Sequence, residues 1–105
     1  MATKTLWIGL VGLRPRKGND SLGDARGAFV RFLALATDET EYKREMHAAL
    51  DEFRFDFDEV SEVERYRQFV GREGADGELA ELARKVSADG YSRFGEFFPY
   101  EADDA

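Results

Sequence analysis

Between residues 28 and 60 the hydrophobic period switches from extended to helical and back. Ala28 to Ala36 is an apolar run broken only by Arg31, which reads as a buried strand. From Asp38 to Glu52, Tyr42, Met46, Ala49 and Leu50 fall on one helical stripe that continues to Phe53, and Phe53-Arg-Phe-Asp-Phe57 then alternates as a second strand. This order predicts a strand, a crossover helix and a parallel strand. Glu41 stands three positions after Asp38, as a capping box requires, and Glu39 suits the positive end of the helix dipole.

The flanking segments extend the pattern. In residues 5 to 13, Leu6, Ile8 and Leu10 share one face and Trp7, Val11 and Leu13 the other, so this strand is central or forms an oligomer contact. Gly9 and Gly12 mark a bulge or a close backbone approach. Residues 14 to 27 carry loop chemistry. Phe55-Asp56-Phe57-Asp58 has one apolar and one solvated face. Over 62 to 70 the spacing of Val63, Tyr66 and Val70 supports a short helix as well as an extension of the strand, and 71 to 77 is a loop. A second helix over 78 to 88 presents Leu79, Leu82, Ala83 and Val86, with Gly90 as its C-terminal cap. A last strand, 91 to 100, carries Phe94, Phe98 and Tyr100, and the acidic residues 101 to 105 are expected to fray.

Right-handed crossovers applied to this order, β-β-α-β-α-β, place both helices on one face of a mixed four-stranded sheet. The expected fold is an α+β two-layer sandwich, a ferredoxin-like variant, in one domain over 1–105.

Composition narrows the function more than the fold. A chain of 105 residues, 43% hydrophobic and with nine Phe, supports one core. The absence of cysteine excludes disulfides, thiolate metal sites and cysteine nucleophiles, and is compatible with a reducing cytoplasm, the expected location. The apolar run from Leu6 to Leu13 meets Arg14-Pro-Arg-Lys17 without a cleavage pattern and is too short to cross a bilayer, so a strand is the better reading. A formal net charge of -7 works against nonspecific attraction to nucleic acid or anionic lipid and favours a basic protein partner.

Three constellations carry candidate chemistry. Asp51, Glu52, Asp56, Asp58, Glu59, Glu62 and Glu64 oppose only Arg54 within residues 51 to 64. Of these, Asp56, Asp58, Glu59, Glu62 and Glu64 are the expected protein-partner site, because a patch of one sign steers association. Arg14, Arg16 and Lys17, with Arg26 and the glycines at 18, 23 and 27, form a candidate anion-binding loop that lacks the P-loop spacing. His47, the only histidine, has no second imidazole to share a metal, and no serine lies in a nucleophile-elbow pattern. No catalytic residue, metal or cofactor is expected.

Leu6-Trp-Ile-Gly-Leu-Val11 and Arg26-Gly-Ala-Phe-Val-Arg-Phe32 resemble the two signatures of the RNA-recognition motif, the second with one aromatic deleted. That resemblance implies a base-stacking platform of Trp7, Phe29 and Phe32 with Arg26 and Arg31 beside it. The element order resembles small acidic bacterial α/β-plait domains. The leading expectation is a non-enzymatic interaction module, in its most specific form an inhibitor or immunity-type protein for a basic partner, or a self-associating homodimer. The alternative is single-stranded RNA binding.

Overall fold

A computed structural model describes residues 3–23, 25–74 and 77–100. The acidic residues 101 to 105 lie outside them. Two strands whose side chains are apolar on both faces, β1 (Thr5–Pro15) and β2 (Gly27–Ala36), pair antiparallel at the centre of a four-stranded sheet. β3 (Phe55–Arg65) joins the free side of β1 and β4 (Arg93–Tyr100) the free side of β2, giving the order β3-β1-β2-β4. Every pair is antiparallel, so the sheet is not the mixed one expected. β2 and β3 do point the same way across the helix α1 (Glu39–Glu52), but β1 lies between them.

The element order is β-β-α-β-α-α-β rather than β-β-α-β-α-β, because two helices, α2 (Tyr66–Glu73) and α3 (Gly77–Asp89), connect β3 to β4. β3 passes into α2 at residue 65 with no intervening turn residues, so both readings of 62 to 70 hold in part. The two-layer expectation also fails. α1 packs on one face of the sheet, where Tyr42, Met46 and Leu50 join Val11, Leu13, Val30, Phe32 and Ala34. α2 and α3 pack on the other, where Phe69, Ala83 and Val86 join Ile8 and Leu33. The reason is the alternation of the central strands: Ile8 and Leu33 point away from α1, and two helices on one face would have left them in water.

Local chemistry accounts for the helix ends. Asp38 accepts from the Glu41 amide at 2.8 Å while the Glu41 carboxylate accepts from the Thr37 amide at 2.7 Å, a capping box displaced by one residue. Gly90, at φ 78°, closes α3 by donating its amide to the Val86 carbonyl. On the first face a close approach depends on Gly9. A Cβ there would lie 2.6 Å from the hydroxyl of Tyr42, which is buried and donates to the Phe32 carbonyl at 2.8 Å. Burial pushes the Tyr42 phenol above its ordinary range, so it stays a neutral donor. No helix of the described residues is long and apolar enough to cross a membrane.

Candidate interaction surface

The helices roof only part of the second sheet face. α2 and α3 cover Leu6, Ile8, Leu33 and Leu35, and their cover ends at the paired residues Leu10 and Arg31. There Phe69, Leu79 and Leu82 wall a groove of about 550 Å³ whose floor and far side are Leu10, Gly95 and Phe98. Beyond the groove, one row of paired residues runs across all four strands: Glu59, Gly12, Phe29 and Phe98. The next row holds Gly27 and Tyr100.

Glycine makes this surface flat. A Cβ on Gly12 would lie 3.1 Å from the Phe29 ring, and one on Gly27 would lie 2.7 Å from the Tyr100 ring carbon that bears the hydroxyl. Each ring therefore rests where its neighbour lacks a side chain. The two rings contact each other with centroids 5.5 Å apart, and Phe98 beside them is 53% exposed. An apolar surface of this kind, open to water and rimmed by charge, is the usual character of an interaction site.

Bulges supply the rim. The β1–β3 register shifts between Gly12 and Leu13, so Asp58 is an extra residue and joins Glu59 on the open face. Asp58 accepts from the Tyr100 hydroxyl at 3.3 Å, while Glu59 reaches over Gly12. Partial desolvation, and then the Asp58 charge, raise the Tyr100 phenol above its usual range. A second shift, between Ile8 and Leu10, holds Glu62 at φ 54° with its carboxylate 3.9 Å from the Arg31 guanidinium. Arg31 stacks on the Phe69 ring at 5.1 Å, and its Nη1 is buried without a hydrogen-bond partner. Glu78 and Glu96 line the groove from α3 and β4.

The five acids expected to form one site divide. Asp56 pairs with Arg16 at 3.0 Å, and Glu64 takes both terminal nitrogens of Arg72, at 2.7 and 2.6 Å. The Arg72 hydrogen bonds hold the Glu64 carboxyl below its ordinary range. Asp56, paired in register with Arg14, shares the open face but is taken by Arg16, so Asp58, Glu59 and Glu62 are the ones that rim the aromatic surface.

The platform inferred from the RNA-recognition resemblance does not assemble. Phe32 lies buried beneath α1, and Trp7, on that same face, donates its Nε1 to the Ala36 carbonyl at 3.2 Å. Phe29 points to the opposite face, because residues three apart on a strand cannot share a side. Arg31 accompanies Phe29; the Arg26 amide donates to the Tyr100 carbonyl.

The basic residues also separate. Arg16 is held by Asp51 at 2.5 Å as well as by Asp56, and these hydrogen bonds raise its pKa further. Asn19 donates to the carbonyls of Phe53 and Arg54, which ties the loop to the end of α1. Lys17 is exposed, and Arg14 ends on the open sheet face near Tyr100. His47 is exposed on α1 with its ring against Phe57. Among the described residues no group of three or more His, Cys, Asp or Glu is placed to hold a metal ion.

Sequence reasoning missed the partnership of Phe29 with Phe98 and Tyr100. It grouped Phe94 with the last two, but the β2–β4 register shift between Val30 and Phe32 turns Phe94 onto the first face, against Phe32 at 5.1 Å. The available signal was the period of two shared by Phe98 and Tyr100 together with the side-chain-free positions 12 and 27. Comparisons of the chain with family models, with curated proteins and with solved structures found no match.

Proposed function

We propose that this chain is a non-enzymatic protein-interaction module that receives a positively charged protein on the open half of its second sheet face. The observation that carries the reading is the flat set of rings from Phe29, Phe98 and Tyr100, placed between the carboxylates of Asp58, Glu59 and Glu62 on one side and Glu96 on the other. Aromatic surface supplies the favourable burial, and the carboxylates select a cationic partner and speed its arrival. A protein that binds nucleic acid or another polyanion has such a cationic surface, and an inhibitor or immunity-type role follows if the carboxylates occupy the place meant for phosphate. The docking centre is thereby shifted from the β3 ridge to the sheet face, since Asp56 and Glu64 are hydrogen-bonded to Arg16 and Arg72, whereas Glu62 approaches Arg31 only at 3.9 Å and Asp58 and Glu59 have no arginine in an ion pair among the described residues.

The test is affinity capture on the immobilised protein compared with its Phe98→Ser and Glu59→Lys variants. Both positions are exposed, so the variants are expected to melt with the parent. The expected result is a captured cationic protein that both variants lose. If the variants retain every captured protein, or if single-stranded RNA binds the parent and is lost in Phe98→Ser, the reading is overturned.

A further inference from the structure

We propose, resting on the interaction reading above, that the partner element is an amphipathic helix of about three turns that crosses the strands, with Lys or Arg toward both ends of its apolar stripe, and completes the half-built helical layer next to α3. The dimensions fit. From the Leu10–Arg31 row to the Gly27–Tyr100 row is four residues along β2, about 13 Å, close to the 10 to 12 Å diameter of a helix with its side chains. Across the sheet, four strands span about 14 Å between the axes of β3 and β4, the length of roughly ten helical residues. Leu79 and Leu82 of α3 already present an apolar wall to that space.

Charge fixes the two ends. Asp58, Glu59 and Glu62 stand on the β3 side, and Glu78 and Glu96 on the side of α3 and β4, against the guanidinium groups of Arg14 and Arg31. A helix that crosses the strands with cations toward both of its ends meets carboxylates at both, Asp58, Glu59 and Glu62 at β3 and Glu96 at β4. A second copy of this chain offering the same face would oppose acid to acid. Strand addition is disfavoured at either edge, because β3 is bulged twice and β4 carries Pro99 and a register shift.

The probe is a synthetic helical peptide of about 14 residues built from Leu with Lys toward both ends, with a counterpart that carries Glu in place of every Lys as control, titrated into the isotope-labelled protein and followed by amide shifts. The expected result is shifts confined to Leu10, Phe29, Gly95, Phe98 and the first turn of α3. Affinity should fall about tenfold between roughly 50 and 300 mM salt, and about tenfold again in the Glu59→Lys, Glu96→Lys double variant. Equal binding of the Glu peptide, shifts on another face, or no shift overturns the proposal. If the Lys peptide fails while Phe98→Ser still abolishes capture of a native partner, the helix is wrong and the interaction face stands. If both fail, both fall.

Discussion

On the first sheet face α1 presses Tyr42, Met46 and Leu50 onto Val11, Val30 and Phe32, all of them buried, whereas on the second face α2 and α3 stop at Leu10 and Arg31 and leave Phe98 half exposed. The same two central strands supply both floors. Their residues facing α1 are uniformly apolar, and rings from both edge strands meet over that face, Phe55 against Phe97 at 5.8 Å. On the other face apolar side chains give way, at Arg31 and then at Gly12 and Gly27, to a flat surface fenced by acids. The first face is therefore covered along its length, while the second has its own buried core of Ile8, Leu33, Phe69, Ala83 and Val86 and leaves apolar area open beyond it. Substitutions of similar kind should have very different consequences on the two sides.

The widest separation is expected between the two phenylalanines of β2 that point in opposite directions. Phe32→Ala empties a fully buried site in contact with Tyr42 and Phe94 and is expected to lower the unfolding free energy by about 3–5 kcal/mol. Chemical denaturation measures it, and a loss no larger than that of Phe29→Ala would show that the faces are energetically alike. The glycines of β1 give a finer contrast. Gly9→Ala drives a methyl group into the Tyr42 hydroxyl, whose hydrogen bond to Phe32 forbids retreat, and should cost about 1–3 kcal/mol. Gly12→Ala meets the Phe29 ring and the Glu59 methylene at 3.1 and 3.0 Å, and both can swing toward solvent. Its cost should stay below about 1 kcal/mol, but partner capture should drop because the flat floor is lost. Thermal melts of the two variants side by side decide the ranking.

How much of this was legible in the sequence depended on the range of the interaction. β1, β2, α1 and α3 were readable because each writes its own period, and Asp38 and Gly90 mark helix ends by local chemistry. The apolar residues on both sides of β1 even required cover on two faces, a consequence that the crossover rule, applied to one helix at a time, obscured. Pairing was not readable. Nothing in Phe55-Asp56-Phe57 says that β3 will lie against β1 rather than β2, since that choice is made by contacts distant in the chain. Bulges were equally hidden. One extra residue at Asp58 and one shift beside Arg31 reassign every later side chain to a face, which is why Phe94 was grouped wrongly with Phe98 and why two successive acids face the open floor. The candidate surface was thus visible as ingredients, acids and aromatics, but not as a place.

Acid should expose the same asymmetry more gently. The end of α2 is tied to β3 by Arg72 on Glu64, and the end of α3 to β4 by Asp89, which accepts from Arg93 at 2.8 and 2.5 Å and from the Tyr91 amide at 2.9 Å. These hydrogen bonds hold the Glu64 carboxyl below its ordinary 4.5 and pull Asp89 from 3.8 down to about 2. A carboxylate whose folded pKa is depressed contributes stability that is complete above its unfolded value. That contribution is lost as the pH falls from about 4.5 toward about 2, where the unfolded chain takes up protons that the folded one refuses. Both ties belong to the helices of the second face; α1 also has carboxylate contacts, the Asp38 and Glu41 cap and Asp51 on Arg16, but it is held chiefly by the burial of Tyr42, Met46 and Leu50, which acid leaves intact. Amide exchange, corrected for its intrinsic pH dependence, is therefore expected to rise in α2 and α3 before it rises in α1. The effect should be modest and blunted by salt, because the pairs are exposed. Loss of protection beginning in α1 would mean that the half-roofed face is not the weaker one, and the contrast between the two sides would have to be drawn the other way.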